Sequence, residues 1–193
     1  EVYTKNEKFY QKKKYCRLEE SYREDSVLKN FKFLARFNKW TNELIYEKCS
    51  LLSEEEYKKN RKAFFESIHN TLNHLLVVDK LWLGRMKGTK PEIKYLAQIL
   101  HDNFNDLKKA RVEEDNRLIN FVDSFDEKEV DKNYTFTRMD GRGEFTITFG
   151  LTLVTLFNHQ THHRGQIHTM LTQAGIKPAQ MDVIDFPEAK YYS

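Results

Sequence analysis

The chain has 193 residues, of which 39% are hydrophobic and 13% aromatic, enough to bury a core and too many for a disordered chain. Its 32 Lys and Arg against 29 Asp and Glu give a net charge of +3, mixed along the sequence rather than blocked, so the basic stripe of a duplex nucleic-acid binder is missing. No apolar run approaches the ~20 residues of a membrane span.

The sequence begins with Glu1 rather than Met and reads as a processed or trimmed form. Residues 1–24 alternate basic, acidic and aromatic residues without the apolar core of a signal peptide. They are expected to be an N-terminal extension to a domain over 25–193. The expected location is the cytoplasm, with an organelle as the alternative. Cys16 and Cys49 form no CxxC pair and read as free thiols, with a disulfide between them as the alternative.

With only 7 Gly and 3 Pro, long stretches lack helix breakers. The first helix is predicted from about Asp25 to Cys49, capped by Asp25 or Ser26. Leu28, Phe31, Leu34, Ala35, Asn38, Thr41 and Ile45 form a stripe with polar residues near its middle. Ser53–Glu56 resembles a short capping segment in the connection. The second helix is predicted over about 60–87, with Phe64, Ile68, Leu75, Val78 and Trp82 on one face and Phe65, Leu72, Leu76 and Leu83 widening it. Gly88–Pro91 ends it.

A third helix is predicted over about 102–125, with Leu107, Ala110, Arg111, Glu114, Leu118, Phe121 and Val122 as its stripe. From Asn133 to Phe149 the period becomes two, and Asp140-Gly141 between two β-prone runs signals a hairpin. The fourth helix is predicted over about 150–173. Gly175 supplies its stop, and the tail 176–193 is expected to be irregular and packed on the bundle. The expected architecture is all-α: an antiparallel four-helix bundle with a small β-hairpin before the last helix.

Four of the seven histidines lie between Asn158 and His168. His159 and His163 fall about 40° apart on a helix, one turn up, on the face of Thr152, Leu156, Gln166 and Met170. His168 falls on the opposite side and His162 on the flank. A pair of neutral imidazoles inside a bundle needs partners for its ring nitrogens, and a shared cation supplies one to each. On the second helix His74 lies at the edge of the apolar arc with Ser67, Val78 and Leu81, whereas His69 lies on the polar flank. His74 is therefore the better third ligand. The alternative is a core histidine bonded to a neighbouring side chain.

Three histidines would leave coordination positions open, the pattern of a catalytic rather than a closed structural site. Imidazoles suit Zn, Ni, Cu or Fe. Gln160 stands where a zinc peptidase carries the Glu after its first histidine, which argues against peptide hydrolysis. Asp79 and Arg164 read as helix-tying ion-pair residues or as residues orienting the site. Trp40, Tyr46 and Trp82 read as core, with a pocket lining as the alternative.

Three segments resemble the DinB family: Leu34–Asn42, Phe64–Leu83, and Phe157–Gln166 followed by Leu171–Gly175. They come in order on three helices and span about residues 26–186. The resemblance implies a four-helix bundle with a histidine-triad metal site, commonly filled by nickel or zinc, whose ligands carry over to His74, His159 and His163. It also implies a homodimer and a small-molecule substrate, since related members transfer low-molecular-weight thiols or isomerise small acids. The expected function is a metal-dependent enzyme, a thiol S-transferase acting on small electrophiles with a low-molecular-weight thiol as co-substrate. The alternative is a non-catalytic, metal-stabilised helical interaction protein. The extension over 1–24 departs from the family's usual short start.

Overall fold

The computed structural model describes the backbone of residues 5–192 and the side chains of residues 27–192. Four long helices form the bundle: α1 (Lys5–Cys49), α3 (Ile68–Met86), α4 (Phe104–Asp123) and α6 (Phe149–Gln173). Between them lie the short helices α2 (Glu54–Lys58) and α5 (Glu127–Val130) and the strands β1 (Asn133–Thr137) and β2 (Glu144–Thr148).

α1 neighbours α4 and α6, and α3 neighbours the same two, so α1 and α3 sit diagonally. Residue contacts give the polarity. Arg36 meets Asp123 at the end of α4, while Tyr46 stacks on Phe104 at its start, so α1 and α4 run antiparallel. His74 meets His163, and Asp79 meets Gln160, so α3 and α6 also run antiparallel. Leu72 and Leu75 of α3 share a cluster with Leu107, whereas Leu83 and Met86 share one with Leu118 and Val122, so α3 and α4 run parallel. Segment 87–103 must therefore return the length of the bundle between them. That return carries it across the triad.

Two apolar clusters fill the ends of the bundle. One gathers Ile45, Tyr46, Ile68, Leu72, Leu107, Ile167 and Leu171, and the other Leu28, Phe31, Leu83, Leu118, Phe149 and Leu153. Between them lies a buried polar layer, the reason for the polar residues in the middle of the first helix's stripe. Arg111 sits 2.8 Å from Asp79 and 3.0 Å from Asp115, whose carboxylate also accepts from Asn38 and Asn42. Arg164 donates to Asn38, and Gln160 donates to Asp79 at 2.6 Å. Asp79 and Arg164 thus tie helices together without pairing directly. Opposite charges this deep contribute little net stability as a set, but removing one partner strands the others.

Two predicted boundaries are corrected. α1 runs unbroken through Asp25 and Ser26, so neither caps it, because residues 5–25 contain no Gly or Pro and many good helix formers. α3 starts at Ile68, not Asn60. Ser67 is its N-cap and accepts from the Asn70 amide at 3.1 Å, while Lys62 (φ 57°) and Glu66 (φ 66°) take left-handed backbone that no helix tolerates. Phe64 is consequently 83% exposed instead of lining the core.

The hairpin pairs antiparallel, Asn133 with Thr148 through Thr137 with Glu144, around a turn in which Gly141 (φ 76°) and Gly143 (φ 82°) take the conformation side chains avoid. Tyr134 and Thr152 share a hydroxyl hydrogen bond of 2.9 Å that fastens the hairpin to α6. After Gly175 (φ 77°) the tail forms two short 3₁₀ turns, and Phe186 packs on Phe33, Phe37 and Trp40. Among the described residues no helix is long and apolar enough to cross a membrane.

Candidate metal centre

His159 and His163 stand one turn apart on α6, ring centroids 4.4 Å apart, and His74 of α3 faces both at 5.0 and 4.8 Å. One ligand atom from each of the three lies within 4.8 Å of the others, the grouping predicted from helical phase. Among the described residues no other cluster of His, Cys, Asp or Glu has this form.

The outer nitrogens fix the inner ones. His74 Nδ1 lies 2.8 Å from the Leu96 carbonyl oxygen, which can only accept, so Nδ1 carries the proton and Nε2 presents a bare lone pair. His163 Nδ1 lies 2.8 Å from Gln166 Oε1, and the same amide donates through Nε2 to His162 Nε2 at 3.2 Å. This chain orients the amide and leaves His163 Nε2 bare as well. His74 Nε2 then faces His159 Nε2 at 3.0 Å. A cation between these atoms gives each of the three inner nitrogens a partner, so the donor set fits a divalent ion held by imidazoles. Without one, His159 must turn its proton inward to His74; its buried Nδ1 has no hydrogen-bond partner among the described residues with the ring in either tautomer.

Burial keeps the rings neutral, as ligands must be. It pushes His74 down to about 4 and His159 down to about 3, the neighbouring imidazoles adding to the effect, and it lowers His163 too. Phe65 stacks on His74 at 3.8 Å between centroids and lies 5.5 Å from His163, closing that side. Its position comes from the turn at Glu66, where left-handed backbone costs about 1–3 kcal/mol and the chain is bent beside the triad.

On another side His74 and His159 line a cavity of about 280 Å³. Val78, Trp82 and Arg85 of α3 line it with Leu96, Thr155 and the hairpin residues Phe136, Met139 and Asp140. The Asp140 carboxylate is engaged by Arg138 and Arg142 at 2.7 and 2.5 Å. No carboxylate in this wall is therefore free to act as a base. Gln160 is fully buried and committed to Asp79.

The other histidines fall outside. His162 is on the flank as expected. His69 corrects the prediction: it is 4% exposed, packed edge-on against Tyr57, because α2 covers the side of α3 that the sequence left polar. Trp82 lines the cavity, Tyr46 is core, and Trp40 packs on the tail. Asn73 was missed by sequence reasoning. Its Oδ1 accepts from the amides of Leu100 and His101 at 2.9 and 3.0 Å, and its Nδ2 donates to the His101 carbonyl at 3.1 Å. One buried amide thus pins segment 87–103 beside the histidine that this segment orients. Its place next to His74 was the only available signal.

A helical bundle with a buried three-histidine cluster that could hold a metal ion is the class that fold and site define. The profile of the DinB family matches residues 27–192, and the chain belongs to that family. It is 29% identical over 156 residues to Protein DinB of Bacillus subtilis (strain 168), covering 77% of this chain and 88% of that one. A crystal structure of a DinB-like protein from Bacillus cereus ATCC 10987 shares the fold, with a TM-score of 0.56 at 16% identity, over 72% of this chain and 89% of that one.

Proposed function

We propose that His74, His159 and His163 hold one divalent ion, nickel or zinc, through their inner nitrogens. The domain over 25–193 then acts as a metal-dependent enzyme that transfers a low-molecular-weight thiol to a small electrophile. The observation that carries the reading is the 3.0 Å approach of two ring nitrogens, one a bare lone pair, at the edge of a cavity. A bound ion supplies Lewis acidity, which lowers the pKa of a thiol or a water that reaches it.

The chain's own residues do the rest. Leu96 and Gln166 hold the imidazoles in the tautomers that face inward. Phe65 keeps water from one side, which strengthens the electrostatics within. With no free carboxylate in the wall, the thiol proton passes to solvent. The sulfur lone pair then forms a bond to the electrophilic carbon, and the leaving group departs with the bonding pair. The same lack of a base argues against hydrolysis.

Metal-loaded protein is expected to consume a small thiol together with an alkylating electrophile, and His159→Ala to consume none above background. Equal consumption by both would contradict the reading. The second reading, a non-catalytic protein stabilised by its ion, draws on the triad's bridging of α3 and α6, which an ion would cross-link. Metal-dependent heat stability without thiol turnover selects it. A homodimer belongs to the first reading through the family resemblance, and light scattering in solution checks it; the cytoplasm, with an organelle as the alternative, is the location proposed with it.

A further inference from the structure

Arg85 is a half-buried guanidinium in the cavity wall with no carboxylate at ion-pair distance among the described residues. Its carbon lies 4.1 Å from the Phe136 ring centroid and 4.8 Å from that of Trp82, two rings that meet at 87°. Its one hydrogen bond among the described residues, from Nη2 to the Thr137 carbonyl, is long at 3.4 Å. Stacking uses the faces of a guanidinium and leaves its N–H edge for in-plane bonds. The other cation of the wall is spoken for, since Arg138 grips Asp140 through both Nε and Nη2. Burial lowers the pKa of Arg85 and outweighs the opposing pull of Tyr134 and of Asp140, a carboxylate that Arg138 and Arg142 already hold.

The geometry relative to the triad is regular. His74, Val78, Trp82 and Arg85 follow at spacings of four, four and three along α3, one stripe down the cavity. Eleven residues separate the ends, about 16 Å of rise, and helical side chains lean toward the N-terminus, so Arg85 leans toward His74. Between them the wall is apolar: Val78, Leu81, Trp82, Leu96, Phe136 and Met139. At about 280 Å³ the space suits a small molecule.

We propose that this cavity takes a small organic anion, a carboxylate or phosphate on an apolar body, with Arg85 as the docking cation and the apolar body reaching toward the histidines. The inference deepens the function proposed above and rests on its reading of the cavity as the substrate site. It differs in needing no metal for the anion to bind.

The test is therefore run first on metal-free protein, where no ion can attract the probe. Binding of 3-phenylpropionate, phenethyl phosphate and the neutral 3-phenylpropanol is followed by calorimetry and tryptophan fluorescence. At least one anion should bind about tenfold or more tighter than the alcohol, the worth of a charged hydrogen-bonded pair in a partly dry site. Which anion binds better separates the carboxylate from the phosphate source. Arg85→Gln should erase the preference and Arg85→Lys retain part of it, with circular dichroism showing both folded. No preference in the parent, or a preference that survives Arg85→Gln in folded protein, overturns the proposal. Loss of thiol transfer with the preference intact would instead count against the proposed reaction alone.

Discussion

Asn73 and His74 are neighbours in sequence that grip the same returning segment by different means. Asn73 holds the backbone of Leu100 and His101 with three hydrogen bonds, and His74 donates to Leu96. The segment owes its path to the parallel run of α3 and α4, so the topology of the bundle and the tautomer of a candidate ligand are coupled through one asparagine.

Asn73→Ala should therefore act at two levels. It leaves two backbone amides and a carbonyl without their partner, a cost of about 2–3 kcal/mol. It also frees the segment that orients His74. Chemical denaturation should show the loss, and hydrogen exchange at residues 100 and 101 should speed up far more than in α4. Uniform acceleration across the bundle would mean that the pin is not local.

Gln166 should matter to metal binding though it is no ligand. Replacing it with Leu removes the acceptor that holds His163 Nδ1–H. Outer partners of this kind are worth about 10–100-fold in metal affinity. Competition with a chelator measures the change, and an unaltered affinity would remove Gln166 from the account.

The polar layer makes a different prediction. Arg111→Met leaves Asp79 and Asp115 buried without their cation and should cost about 3–5 kcal/mol. Replacing Asp79 and Asp115 with Asn in the same chain should recover a large part of it. A loss near 0.5 kcal/mol, the worth of a surface pair, would show that water enters the layer.

Alkali should weaken the fold through groups outside this layer. Burial raises the Tyr57 hydroxyl and the Tyr46 hydroxyl above their ordinary range and pushes the Cys49 thiol up to about 12. All three stay protonated in the folded chain at pH values where the unfolded chain has released its protons. The folded state then binds more protons, so stability falls as pH rises above about 9. Neither tyrosine hydroxyl has a hydrogen-bond partner among the described residues. Tyr57→Phe should thus be neutral or stabilising by about 1 kcal/mol at pH 7 and should flatten the alkaline loss. Marked destabilisation at pH 7 would reveal a partner for that hydroxyl.

Helical phase made His159 and His163 legible as a pair and favoured His74 over His69, α3 and α6 being regular where they stand, and the family resemblance joined the three. The hairpin was legible from Asp140-Gly141 for the same local reason. The start of α3 was not, since Phe64 and Phe65 keep a helical spacing while Lys62 and Glu66 turn the backbone out of it. His69 was misjudged because its cover comes from α2, a contact that no period within one helix encodes. Asn73, Leu96 and Arg85 act through segments 20 or more residues away in sequence, which pattern reading does not reach.

The most direct measurement is metal content by mass spectrometry on protein purified without a histidine tag, beside His74→Ala and His163→Ala. About one nickel or zinc per chain in the parent, lost in both variants while each stays folded, is the predicted result. A parent that takes up neither metal after incubation with both would contradict the central claim, and the buried trio would then serve packing and hydrogen bonding alone.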